Sequence, residues 1–196
     1  MKNAHLLFNA SVAGLLLAVV AVLFSLAIFP LKYAADARIL VAPHAVPGVD
    51  PYTSSKSAER IAQNVAEVVR TSQFFNRVVS LTASGIDITY FPSDELERRK
   101  LWNRTIDASV AYNSGMLQLT AYHTDPAQAM SLVGAVAQVL NASGNDFAVS
   151  PADFRIVDSP VASAYPRQPN FLVIGLCAFF GGFIISAVFL SLRREF

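Results

Sequence analysis

Two long stretches of this chain carry no charged side chain, and between them the apolar residues fall into short periodic runs. The first stretch is Leu6 to Leu31 and the second is Phe171 to Leu192. A bilayer core of about 30 Å takes roughly 20 apolar helical residues at about 1.5 Å each. Both stretches are long enough. A cleavable signal has an apolar region of only about 7–15 residues. Leu6–Leu31 exceeds that, so a retained helix is expected, although Ala35-Asp36-Ala37 offers an A-x-A pattern. The expected order is 1–5 cytoplasmic, 6–31 first transmembrane helix, 32–158 extracytoplasmic domain, 159–170 proline-rich strut, 171–192 second transmembrane helix and 193–196 cytoplasmic tail. Lys2, Arg193 and Arg194 flank the spans on the side assigned to the cytoplasm, with Lys32 and Arg167 opposite.

The middle of the chain alternates between strand and helix periods. Ala37–Val41 reads as a strand, and "PHAVPGVDP" reads as a loop. Ala58, Ile61, Ala62, Val65 and Val68 repeat as one face of a helix, with Glu59, Gln63, Glu67 and Arg70 on the wet face. Phe74, Phe75, Val78 and Val79 continue an apolar segment. "PSDELERRKLWN" predicts a short helix with acidic residues first and basic residues later, as the helix dipole favours. Ile106, Ala108 and Val110, then Leu117, Leu119 and Ala121, alternate with polar residues around Asn113-Ser114-Gly115, which predicts a hairpin. Asp125-Pro126 is an N-cap followed by proline at the first helical position. The stripe Ala129, Leu132, Val133, Val136 and Leu140 follows, and Ser143-Gly144 stops it. Phe154–Val157 closes the set as a strand. The order strand-helix-hairpin-helix-strand predicts one small α+β domain, with helices on one side of the sheet. Its first and last strands, around Ile39 and Ile156, are expected in the same sheet because each leads directly to a span.

Composition agrees with two spans around an ordinary domain. The chain of 196 residues is 54% hydrophobic, with mean hydropathy +0.43, above the roughly 45–50% apolar content usual for soluble domains. Residues 32–170 carry twelve Lys and Arg against thirteen Asp and Glu. That balance gives no cationic field, so no nucleic-acid partner is expected. The single cysteine, Cys177, lies in the second span, so no disulfide forms within the chain.

Candidate chemistry is sparse. His5, His44 and His123 are scattered without a second ligand at metal spacing, and no metal site is expected. Neither a G-x-S-x-G nor a phosphate-binding loop is present. Asp125 is explained by capping. A non-enzyme without a cofactor is expected. Arg98, Arg99 and Lys100 form a candidate contact for acidic glycan or phosphate, against the plainer reading of a solvated helix face. Pro160, Pro166 and Pro169 predict a stiff extended strut before the second span. Within that span Gly175, Ala178, Gly182 and Ser186 recur at intervals of three and four, a stripe that permits close helix packing.

The layout resembles the bacterial polysaccharide co-polymerases, the Wzz-type chain-length determinants, and in particular their short capsular form that pairs with a separate kinase. "YAADARILVAP" is similar to the family's first strand and "SAERIAQNVAEVVRTSQFFNRVV" to its first helix. "GMLQLTAYHTDPAQAMSLVGAVAQVL" is similar to its hairpin strand, Asp-Pro and second helix. "RIVDSPVASAYPRQPN" is similar to its closing strand and proline run. The chain departs from the family where a Ser-Pro-Lys ending becomes Gln168-Pro169-Asn170, and where a glycine pair becomes Gly182 and Ser186. Only residues 81–105 stand where larger members carry a long helical arm.

The resemblance implies a scaffold in the bacterial plasma (inner) membrane that regulates chain length in capsular or exopolysaccharide biosynthesis. It implies a homo-oligomeric ring beside a polysaccharide polymerase, in contact with membrane lipid. The kinase-paired form further implies a cytoplasmic tyrosine kinase on a different chain, although the "SLRREF" ending is short for docking one. From the residues alone, a two-span sensor or ligand-binding module stays open, as does a structural subunit of another membrane complex.

Overall fold

The computed structural model describes residues 2–44, 48, 50–81, 85–148 and 150–192. The chain divides into two compact units, one made of 1–31 with 167–196 and the other of 32–166.

The first unit is a pair of helices, α1 (Lys2–Ile28) and α6 (Phe171–Leu192). Both hold a 19-residue stretch long and apolar enough to cross a membrane, Ala10–Ile28 and Phe171–Phe189, with mean hydropathy 2.7 and 2.5. Helix α1 does not follow the expected 6–31 bounds. It begins at Lys2, inside the segment assigned as a tail, and ends at Ile28, two residues before Pro30, which has no N–H to continue the ladder. The tail 193–196, with Arg193 and Arg194, lies outside the described residues, as does Met1. At the start of α6, Asn170 accepts the Val173 N–H at 3.3 Å through its Oδ1, an N-cap contact.

The second unit is α+β. Strands β1 (Tyr33–Pro43), β2 (Ile106–Val110), β3 (Met116–His123) and β4 (Ala152–Ala162) form one antiparallel sheet in the order β2-β3-β1-β4. The first and last strands are neighbours, with Ile39 opposite Ile156. Along β1 the alternate residues Ala35, Ala37, Ile39 and Val41 are buried, and Leu117, Leu119 and Ala121 of β3 continue that face. Against it pack α2 (Pro51–Val69) and α5 (Pro126–Ser143), with the short α4 (Glu95–Thr105) beside β2 and β3, while α3 (Ser72–Leu81) packs on α2, α4 and α5. The α5 stripe behaves as its period predicts: Ala129, Leu132, Val133, Val136 and Leu140 are all buried. The Asp125 carboxylate caps α5 by accepting the Ala127 N–H at 2.9 Å.

The helical side holds the large aromatics. Trp102 of α4 is 1% exposed and donates its indole N–H to the Val69 carbonyl at 2.8 Å. Phe75 and Phe91 meet it at 5.1 and 5.8 Å between ring centres. Burying an indole while satisfying its N–H ties α4 to the end of α2 without an unpaired donor.

Two sequence readings are corrected here. Helix α2 starts at Pro51, well before Ala58, because Asp50 caps it by accepting the N–H groups of Tyr52 and Thr53 at 3.0 and 3.1 Å. Helix α4 starts at Glu95 and not at Pro92-Ser93, since Asp94 accepts the Glu97 N–H at 3.0 Å.

Candidate functional site

Within the helix pair the close contact is made by glycines. A Cβ on Gly182 would come within 3.1 Å of both the Gly14 Cα and the Leu17 Cβ, and one on Gly14 within 2.7 Å of the Phe179 carbonyl oxygen. A Cβ on Gly175 would sit 3.6 Å from Val22. The pairings 14 with 182 and 22 with 175 make α1 and α6 antiparallel. Ala178 and Ser186 are half-buried on the same face of α6, whereas Leu176, Phe180, Ile184 and Phe189 are exposed. Gly181 has open space beside it. The sequence reading therefore marked the α6 half of the seam. It missed the α1 half, where Ala10 and Gly14 are buried. The signal was available: Ala10, Gly14 and Ala18 recur every four residues, and Ser25 continues the face one turn short of the helix end.

The proline-rich segment is divided rather than continuous. Pro160 lies inside β4 and not in a strut. It sits where the β1–β4 register shifts, between Asp158 opposite Arg38 and Val161 opposite Asp36. Proline has no N–H to give to a ladder, so an edge strand at an irregularity tolerates it. Its ring also packs near Gly134 of α5, where an added Cβ would lie 3.4 Å from Pro160 Cγ. Beyond β4, Ser163 donates its N–H to the Ala34 carbonyl at 2.7 Å and accepts the Ala34 N–H at 3.0 Å. Of the segment expected to be a stiff strut, only the few residues around Pro166 and Pro169 lie beyond these contacts, with a cis peptide between Gln168 and Pro169.

Each member of the basic cluster has a partner within the domain, while Arg99 and Lys100 stay more than half exposed. The Arg98 guanidinium lies 5.5 Å over the Phe75 ring and donates to the Ser93 carbonyl at 3.2 Å. Arg99 donates to the Ser72 hydroxyl at 3.0 Å and pairs with Glu95 at 3.4 Å. Lys100 pairs with Glu97 at 2.9 Å. These contacts brace α4 against its own first turn and against α3.

The histidines separate as well. His44 pairs with Asp153 at 3.2 Å. His123 is buried, with its Nδ1 accepting the Asp125 N–H at 3.0 Å and its ring 4.5 Å from that of Tyr90. Among the described residues no group of three His, Cys, Asp or Glu side chains is placed to hold a metal ion. The Asp87 carboxyl is held below its ordinary value, chiefly by the hydrogen bond from the Thr89 hydroxyl, which makes it a turn-stabilising group. No protein-family model matches the chain, and no curated protein matches it.

Proposed function

We propose that this chain is a non-enzymatic membrane scaffold that regulates the length of a surface polysaccharide, working as an oligomer beside the polymerase. Both apolar helices cross the membrane in this reading, with the domain of residues 32–166 on the extracytoplasmic side. The observation that supports it is the adjacency of β1 and β4, the strands that connect to α1 and α6. A domain whose first and last strands are partners has its two chain connections at neighbouring positions. A shift within the helix pair then acts on one strand pair and not on distant parts of the fold. Such a device suits a protein that reports or imposes a geometry, and the resemblance to chain-length determinants supplies the process. A cytoplasmic tyrosine kinase is a further partner under this proposal.

Deleting the gene and sizing the cell's surface polysaccharide on a gel tests it. The expected result is a changed length distribution that the intact gene restores; an unchanged distribution overturns the proposal. Orientation is tested separately with alkaline phosphatase fused after Phe196. An inactive fusion is expected, and an active one reverses the assignment.

A further inference from the structure

Where β1 ends, the turn between β2 and β3 settles onto the first half of α2. Glycine permits this approach: a Cβ on Gly115 would lie 2.5 Å from the Val41 carbonyl oxygen and 2.8 Å from the Ala58 Cβ. Asn113 takes the left-handed conformation in the same turn, at φ 52. Its Oδ1 accepts from Lys56 Nζ at 3.1 Å, and the same ammonium donates to Glu59 at 2.7 Å. The Lys56–Glu59–Asn113 set is thus fixed from two elements about 57 residues apart in sequence.

Two tyrosines flank it. Tyr52 on α2 is 72% exposed and Tyr112 in the turn is 89% exposed. Tyr52 lies one helical turn before Lys56 on α2, and Tyr112 directly precedes Asn113, the residue that bonds Lys56. An open cavity of about 680 Å³ starts at Tyr52 and runs along α2 past Thr53, Lys56, Ser57, Arg60 and Asn64.

The chemistry of this cleft selects among ligand classes. A protein hot spot needs a desolvated apolar centre, and here Ile61 is the one aliphatic residue among those lining the cavity. A nucleic acid needs a strong positive field, and here Glu59 pairs with Lys56, which leaves Arg60, among the described residues, as the single uncompensated cation of the lining. Sugars present C–H faces that lie against aromatic rings and hydroxyls that exchange hydrogen bonds with hydroxyl, amide and guanidinium groups. The open Tyr52 ring beside Thr53, Ser57, Arg60 and Asn64 offers that combination, and the open Tyr112 ring stands on the adjoining turn, next to the Asn113 that bonds Lys56. We propose that this cleft binds a segment of oligosaccharide, with Tyr52 and Tyr112 as stacking platforms. The proposal rests on the reading of the chain as a polysaccharide length regulator and names where the glycan touches it.

The test uses the full chain in lipid nanodiscs and, as probe, the surface polysaccharide of the same cells cleaved to fragments of a few repeats. Saturation-transfer NMR is expected to show transfer to sugar C–H protons. Tyr52→Ala with Tyr112→Ala weakens binding at least about tenfold, while Tyr52→Phe with Tyr112→Phe retains most of it. Both side chains are exposed, so circular dichroism and Tm stay as in the parent and exclude misfolding as the cause. Absent transfer, or equal transfer to the double alanine variant, overturns the site. So does capture of a polypeptide through the same tyrosines in place of sugar. The deletion experiment separates the two levels. Altered polysaccharide length without fragment binding removes this site and leaves the function; fragment binding with unaltered length removes the function and leaves the site.

Discussion

The sheet domain and the helix pair reach close packing by opposite means. In the domain, volume fills the space: Trp102, Phe74, Leu117, Leu119, Leu132 and Leu140 are among the large side chains that are fully buried. Water drives that burial, at about 25 cal/mol per Å² of apolar surface. In the helix pair, absent side chains let the backbones meet, at Gly14 and Gly182. In the membrane proposed for the pair, lipid would supply no comparable drive between helices, and contact would depend on how closely they approach. The domain should therefore be most sensitive to lost volume and the helix pair to added volume.

The largest expected effect is in the domain. Trp102→Ala removes a fully buried indole and leaves the Val69 carbonyl without its donor. Large-to-small aromatic changes in a core cost about 3–5 kcal/mol. Denaturant titration of the full chain in detergent, followed by near-UV circular dichroism, should show that loss. A Tm within a degree of the parent would mean that the aromatic cluster is not the centre of the core.

The helix pair gives the converse. Gly182→Leu adds a side chain where a single Cβ already meets Gly14 and Leu17 at 3.1 Å, a kind of overpacking that costs about 1–3 kcal/mol. Spin labels at Val12 and Ile184, both exposed, in a background with Cys177 replaced by alanine, should report a longer and broader distance. Gly181→Leu, one residue away and facing open space, should leave that distance unchanged. Equal effects of the two substitutions would dissolve the contrast between the regions. If the proposed function holds, Gly182→Leu also shifts polysaccharide length. Pro166→Ala with Pro169→Ala shifts it too, and the two effects are non-additive because they act on one linkage.

How much of this was readable in the sequence follows from the range of each signal. Helix α5 and the β2–β3 hairpin were legible because their cap, period and turn lie within a few residues of one another. The same Asp-Pro start at Asp50-Pro51 was missed, because "YTSSKS" is polar and the buried stripe begins only at Ala58. Pro160 was misread because a proline near a span suggests a break. Only the sheet order reveals an edge strand that can hold it. Gly14 was overlooked since a glycine in an apolar run says nothing until its partner helix is known. The cleft along α2 had no local signal, because it joins a polar helix face to Ser150 from far along the chain. Tyr112 comes near it because Gly115 lets a distant turn rest on α2.

The smallest effect concerns what polar pairs add to a region that volume already holds together. The hydrogen bond from Lys56 holds the Glu59 carboxyl below its ordinary value, and the same bond to Glu59 raises the Lys56 ammonium above its own. A lowered carboxylate stabilises the fold above its unfolded value of about 4.3, and that contribution fades as pH falls through the folded value. A raised ammonium stabilises below about 10.4 and is lost as pH climbs through the folded value. The pair therefore contributes across the neutral range and at neither extreme. Asp50 is lowered as well, chiefly by the hydrogen bond from the Thr53 hydroxyl, so an acid limb persists without Glu59. Glu59→Gln should lower the Tm slightly at pH 7, and the gap to the parent should close toward pH 3. Lys56 is half-exposed, so added salt should shrink the pH 7 gap. A gap that stays constant from pH 7 to pH 3 would show that Glu59 acts by shape, through its contact with the turn, and not by charge.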